Sequence, residues 1–286
     1  MSTPRSTGST QQIQQELKEQ TLEENQIDFV QPPAETIAKL NHALKDEKKD
    51  IVRYSKLYLK EKFNIEVKRG GIVRVKNDRN SFDLYMVCPG ITLGEGGYGK
   101  VKLMQNIENP NDTLVLKVLN TKYMQDANIA RQFRNEARNL EKMGRGKSTI
   151  LSKERTENEK IKPEKLYLVQ KFIPGEKLHF YLKNKKPELA ELLDIALQTM
   201  QCAQELHQNN IIHRDIKIEN FIYNPNIKKL TIVDFGITQE PNTPRNIEKT
   251  APDKAYGSRG HIAPEIYSGE NYTEKSDIYS LGKSIK

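Results

Sequence analysis

Tryptophan is missing from this 286-residue chain, cysteine occurs only twice, and no apolar run nears the ~20 residues that a membrane-spanning helix needs. Cys88 and Cys202 stand far apart with no metal-type spacing. That excludes a disulfide-stapled scaffold and reads as two reduced, buried thiols of a cytosolic compartment. Residues 1–20 lack a hydrophobic signal segment, which argues against export by the signal-peptide route. Apolar residues make up only 36% of the chain, so part of it is expected outside any core, although the length suffices for one or two domains. Charge of one sign does not dominate the N-terminal part, where residues 1–62 carry ten Lys and Arg against ten Asp and Glu. The net +8 therefore falls after Lys62, spread over lysine-rich turns such as 183–186. Without interleaved aromatics this is a solvated basic face open to acidic or phosphorylated partners, not a nucleic-acid platform.

What is present changes character along the chain. Residues 1–33 are rich in Ser, Thr, Gln and Glu, close on Pro32-Pro33, and read as a flexible tail. From 34 to 63, Ile37, Leu40 and Leu44, then Ile51, Tyr54 and Tyr58, recur at helical spacing. The charged run 45–50 interrupts them, so one helix or two joined by a polar turn is expected. The region is a helical extension packed on the domain behind it or, alternatively, a regulatory element that docks a partner. Residues 64–90 alternate in short apolar bursts, Ile65–Val67, Ile72–Val75 and Leu84–Val87, and read as extra strands and a hairpin.

The chemistry-bearing motifs follow. Gly94-Glu-Gly96-Gly97-Tyr98-Gly99-Lys-Val101 has G-x-G-x-x-G-x-V spacing, and glycines there let backbone amides approach phosphate oxygens. A dinucleotide fold uses similar glycines but needs a helix straight after them. Here residues 100–104 and 114–119 read as strands. Lys117 sits in an otherwise apolar strand and needs an anionic partner, which Glu136 in the helical run 127–143 supplies. Leu189, Leu192, Leu193, Ala196, Leu197, Met200, Ala203 and Leu206 form a long helical stripe expected to be core. His213-Arg214-Asp215-Ile216-Lys217-Ile218-Glu219-Asn220 is followed by Asp234-Phe235-Gly236, with apolar pieces at 211–212, 221–223 and 230–233 that read as short buried strands. One carboxylate to orient a hydroxyl, a lysine, and an amide plus a second carboxylate for magnesium are what phosphoryl transfer asks for.

This set resembles the catalytic loop, the metal-binding D-F-G triplet, the glycine-rich loop and the V-A-I-K lysine of the eukaryotic-type Ser/Thr protein kinase family. The resemblance covers residues 91–286. It implies an α+β, bilobal fold, with a β-rich small lobe over 91–173 and a mainly helical large lobe from 174. It also implies ATP and magnesium as cofactors and a protein substrate with a Ser or Thr acceptor. By the same resemblance Asp215 is catalytic, Lys217 steadies the moving phosphoryl group, and Lys117, aligned by Glu136, meets the α- and β-phosphates. Asn220 and Asp234 hold the metal. Gly94, Gly96, Gly99, Tyr98 and Val101 cover the nucleotide, and backbone groups of Lys171 and Ile173 meet the adenine edge. His213 is structural, and Asp277 is expected to bond the catalytic-loop backbone. Thr243, Thr250, Tyr256 and Ser258 lie between D-F-G and Ala263-Pro264-Glu265, which resembles A-P-E. A phosphate on Thr243 or Thr250 would pair with Arg214, and Ser258 takes the position that contacts substrate. Relatives continue through further helices beyond Lys286, so a fragment or an abbreviated large lobe is expected. Two other readings stay open: a pseudokinase or scaffold that binds nucleotide without transfer, and a small-molecule kinase of related fold. The expected location is the cytoplasm, or a host's cytosol for an exported bacterial chain.

Overall fold

The computed structural model describes residues 31–46, 51–67, 71–77, 81–96, 99–120, 123, 126–151, 166–241 and 255–285. The expected tail, residues 1–33, falls almost wholly outside them. The chain divides into two compact units, one of Phe29–Phe172 with Phe235–Glu240 and the other of Ile173–Asp234 with Pro241–Lys286.

The first unit is a sheet of seven strands in the order β1-β2-β3-β4-β5-β7-β6. Its elements run α1 (Ala34–Leu44), β1 (Ile51–Tyr54), α2 (Lys56–Phe63), β2 (Ile72–Lys76), β3 (Phe82–Gly96), β4 (Gly99–Asn106), β5 (Thr113–Leu119), α3 (Ala127–Lys142), β6 (Gly146–Leu151) and β7 (Leu166–Lys171). All the strand pairs are antiparallel. Side chains alternate faces along a strand, and β3 shows the consequence: Leu84 and Met86 join one core, Tyr85 and Val87 another. The first core gathers Leu40 and Leu44 of α1, Leu59 of α2, Ile72, Leu84 and Met86, so both helices pack on that face. The second holds Val73, Val75, Tyr85, Met104, Leu116, Tyr167 and Val169. The sheet curls until the edge strand β1 returns against β6 at the other edge. There Arg53 of β1 donates to the Tyr167 hydroxyl of β7 at 3.0 Å.

Two readings of this region need correction. Ile51–Tyr54 is a strand, not part of a helical stripe. Its β-branched and aromatic residues pair with β2, and pairing overrides the apparent 3.6 period. Residues 64–67 carry no regular structure, although Ile65 and Val67 are buried in the first core. The helix between β1 and β2 starts and stops on local chemistry. The Ser55 hydroxyl accepts from the Tyr58 N–H, and Asn64 closes it in the left-handed conformation.

The second unit contains β8 (Glu176–Lys177), α4 (Leu178–Lys185), α5 (Leu189–Gln208), a 3₁₀ turn (Ile218–Asn220), β9 (Phe221–Asn224), β10 (Lys229–Ile232), α6 (Pro264–Tyr267) and α7 (Glu274–Ser284). The three strands form a small antiparallel sheet in the order β10-β9-β8. Of the three expected buried strands, 221–223 and 230–232 are strands. Ile211 and Ile212 are fully buried but belong to no extended strand. The leucine stripe of α5 is the larger correction: Leu189, Leu193, Leu197 and Met200 are 71%, 62%, 52% and 51% exposed. The buried side is Ile195, Thr199, Cys202, Ala203 and Leu206, roughly a third of a turn round the helix at 100° per residue. A helix apolar on two sides cannot show which side its unit covers. Cys88 and Cys202 are both free and buried, and burial pushes the Cys88 thiol up to about 11. Among the described residues no helix is long and apolar enough to cross a membrane.

Candidate phosphotransfer site

In the sheet unit, β3 and β4 form a hairpin whose last pair is Gly96 opposite Gly99, with Gly94 opposite Val101. A strand, not a helix, follows the glycines, so the dinucleotide alternative fails here. Tyr98 lies outside the described residues. Gly99 has a second reason to lack a side chain, since a Cβ there would collide with the Val118 carbonyl on β5. Val101 also pairs with Lys117, placing the strand of the glycine hairpin beside the lysine.

Lys117 Nζ reaches both carboxylate oxygens of Glu136 at 2.7 Å. The helix α3 presents Phe133, Glu136, Ala137 and Leu140 at buried positions spaced three and four apart, which puts the glutamate on the stripe facing the sheet. With Glu136 only 4% exposed, the pair is desolvated, and removing one partner would leave an uncompensated charge. The residues just after Asp234 are tied to the same helix. Asn139 Nδ2 donates to Thr238 Oγ1 at 2.7 Å, both buried, and Lys142 pairs with Glu240 at 2.6 Å. At the end of β7 the Lys171 N–H is given to the Arg145 carbonyl at 2.8 Å, so contact with a base edge falls to its own carbonyl. Ile173 opens the other unit.

In that second unit three of the expected residues converge on the carboxylate of a fourth. Asp215 Oδ2 accepts from Lys217 Nζ at 2.7 Å and Asn220 Nδ2 at 3.1 Å, while Oδ1 accepts the Ser258 N–H at 2.9 Å. Lys217 also donates to Ser258 Oγ at 2.7 Å. Burial works to raise the Asp215 carboxyl, but the donors from Lys217, Ser258 and Asn220 outweigh it and hold it below the usual carboxylate range. It stays ionised near neutrality, suited to orienting a hydroxyl and accepting its proton late. Asn220 gives its amide to the Asp215 carbonyl at 2.8 Å as well, which leaves Oδ1 as its acceptor. The Val233 N–H donates to the Asn220 carbonyl at 2.8 Å, binding the residue before Asp234 to this loop. Asp234 is exposed and held at φ 69°, an uncommon backbone state for a non-glycine residue. An amide oxygen and an exposed carboxylate are hard oxygen donors of the kind magnesium takes alongside phosphates. Among the described residues no group of three or more His, Cys, Asp and Glu forms an all-protein metal cage.

The loop is braced from α7. A capping box of Thr273 and Ser276 starts that helix. Asp277, fully buried, accepts the His213 N–H at 2.7 Å and the Arg214 N–H at 2.8 Å, as expected. His213 Nε2 lies 3.3 Å from the Val233 carbonyl, which can only accept, so that nitrogen carries the proton. Burial drives the His213 pKa down, and the ring is neutral.

Sequence reasoning passed over two neighbours. Lys177 Nζ donates to the Glu219 carbonyl at 3.0 Å, and burial pulls its pKa down although Asp234 opposes this. Tyr272 packs on Arg214. Neither belongs to a motif, and only the fold reveals them. Thr243 and Thr250 lie outside the described residues.

Residues 89–285 match the family model of the protein kinase domain, and the chain belongs to that family. Its relatives include a probable serine/threonine-protein kinase 2 of Plasmodium falciparum, 38% identical over 120 residues, which are 41% of this chain and 22% of that protein. Serine/threonine-protein kinase PknB of Mycobacterium leprae is 28% identical over 194 residues, 68% of this chain and 30% of the relative. PrkC of Bacillus subtilis is 29% identical over 191 residues, 66% and 28% respectively. The chain thus spans less than a third of the length of each of these kinases.

Proposed function

We propose that this protein transfers the γ-phosphoryl group of ATP to Ser or Thr hydroxyls of protein substrates. The convergence of Lys217, Asn220 and Ser258 on the Asp215 carboxylate carries this reading. An ionised, multiply bonded carboxylate beside a lysine is a seat for an incoming hydroxyl, with the cation placed for the phosphoryl group that arrives there. Asp215 orients the hydroxyl and takes its proton. Lys217 balances charge on the transferring group, and a lysine at this place in the loop, with the stretch 257–261, resembles the Ser/Thr pattern and not the Tyr one, in keeping with the names of the relatives. Lys117, held by Glu136, grips the α- and β-phosphates. The resemblance gives Gly94, Gly96, Gly99, Tyr98 and Val101 to the nucleotide, and backbone groups of Lys171 and Ile173 to the adenine edge. Asn220 Oδ1 and the Asp234 carboxylate would hold magnesium, which would supply positive charge against the phosphates.

The test is intact-mass spectrometry after incubation with ATP, magnesium and a mixed Ser/Thr peptide set, alongside Asp234→Asn. The expected result is added phosphate on protein or peptide in the wild type only. Nucleotide binding with no transfer to any acceptor would overturn the enzymatic reading in favour of a scaffold.

A further inference from the structure

Arg214 precedes the carboxylate at the centre of the site and holds a left-handed backbone, φ 67°. Its N–H is fixed by Asp277, so its side chain leaves from a rigid point. The guanidinium carbon lies 4.7 Å from the centre of the Tyr256 ring and 5.2 Å from that of Tyr272, within the range of cation–π attraction for both. The two tyrosines are joined to each other, since the Tyr272 hydroxyl donates to the Tyr256 carbonyl at 2.7 Å. Beneath them lies an apolar cluster of Ile212, Ile262, Ala263 and Ile266, in which Tyr272 is 4% exposed.

The next two residues turn this packing toward the chemistry. Gly257 has φ 120°, and a Cβ on it would stand 2.6 Å from the Arg214 carbonyl. The segment therefore passes Arg214 at a distance only glycine permits. Immediately after it, the Ser258 N–H bonds Asp215 and its hydroxyl accepts from Lys217. A continuous run of contacts thus leads from the Tyr272 ring through Arg214 and Tyr256 to the two groups that would meet a substrate hydroxyl.

We propose that Arg214, Tyr256 and Tyr272 form an internal clamp that seats residues 255–258 on Asp215 and Lys217. Tyr256 and Tyr272 are then positioning residues for the peptide-docking loop. The clamp supplies by ring–guanidinium packing the order that a phosphate on the segment would otherwise bring, so the loop is seated in the unphosphorylated chain. This rests on the proposed protein-kinase function for its catalytic meaning, but its structural part does not.

Amide hydrogen exchange of the segment 255–263, measured on the full chain after phosphatase treatment, separates the two. Tyr256 is only half-buried, so Tyr256→Leu is the primary variant, with Arg214→Gln as a second route to the same loss should Tyr256→Leu fold poorly. The wild type is expected to be protected without phosphate. Both variants should exchange roughly tenfold faster there, the loss of one desolvated cation–π contact, while Tyr256→Phe keeps the ring and the protection. In turnover, Tyr256→Leu should raise the KM for peptide and leave that for ATP unchanged. If the dephosphorylated wild type exchanges as fast as Tyr256→Leu and gains protection only when the segment is phosphorylated, Arg214 is a phosphate receptor and the clamp is overturned. Tyr256→Phe exchanging like Tyr256→Leu would overturn it too. Exchange is read without turnover, so a chain that is protected yet transfers no phosphate rejects the kinase reading and keeps the clamp.

Discussion

Single ionisable groups in the second unit couple its site to pH. His213 is fully buried and neutral, with its pKa pulled below the ordinary 6.5 by desolvation. As pH falls through 6.5 the unfolded chain takes a proton that the folded chain refuses. Stability present above that pH is therefore lost progressively below it, at up to about 1.4 kcal/mol per pH unit for one group. Asp215 acts in the same direction but lower: its contribution is complete above the unfolded value of 3.8 and is lost as pH falls through its depressed folded value. Of these two groups, His213 is the one that acts between pH 7 and 5. The melting temperature of the wild type should fall more steeply over that interval than that of His213→Gln, even though the variant starts lower. Equal slopes would mean that His213 titrates alike in both states.

Among the elements, α3 links the lysine partner to the residues that follow Asp234. Asn139 and Thr238 are each 4% exposed and bonded to each other, and Thr238 also donates to the Phe235 carbonyl at 2.8 Å. Thr238→Val keeps the shape and strips the hydroxyl, leaving the Asn139 amide buried without that acceptor at a cost of about 1–3 kcal/mol. A denaturation midpoint unchanged in the variant would show that the bond contributes nothing. The same region shows what sequence can and cannot disclose. Lys117, Glu136, Asp215, Lys217 and Asn220 were legible because phosphoryl transfer demands particular residue types in a fixed order, and their separations survive as motif spacing. Tyr272 and Lys177 were not, because a contact made across the fold leaves no local pattern. Tyr256 stood out only as a hydroxyl, not as a ring. The strand at 51–54 hid inside a helical period because four residues are too few to tell one period from the other. The leucines of α5 revealed a helix correctly but not which of its two apolar sides is covered.

At the scale of the whole molecule, residues 34–76 are structural to the sheet unit. Leu40 and Leu59 are fully buried in a core shared with Ile72 and Leu84, and β1 and β2 extend the sheet that carries Lys117. Leu59→Ala should therefore cost about 2–5 kcal/mol, as for other leucines deleted from tight cores. The loss is to be read from urea unfolding of the full chain. A loss under 1 kcal/mol would mean that α2 rests on the sheet without being packed into it.

The return of β1 against β6 has a consequence for how this protein meets copies of itself. A flat sheet ends in two rows of amides and carbonyls that invite another chain to add on, whereas curling brings the two margins of this seven-stranded sheet toward each other and crowds the approach of a further strand. Among the described residues, the exposed apolar side chains Leu189, Leu193, Leu197 and Met200 on α5 and Ile278 on α7 offer another route to self-association. Clumps formed that way are held by non-directional contacts of helix surfaces. They should look amorphous, dissolve in mild detergent, and lack the ordered ladder of a fibril.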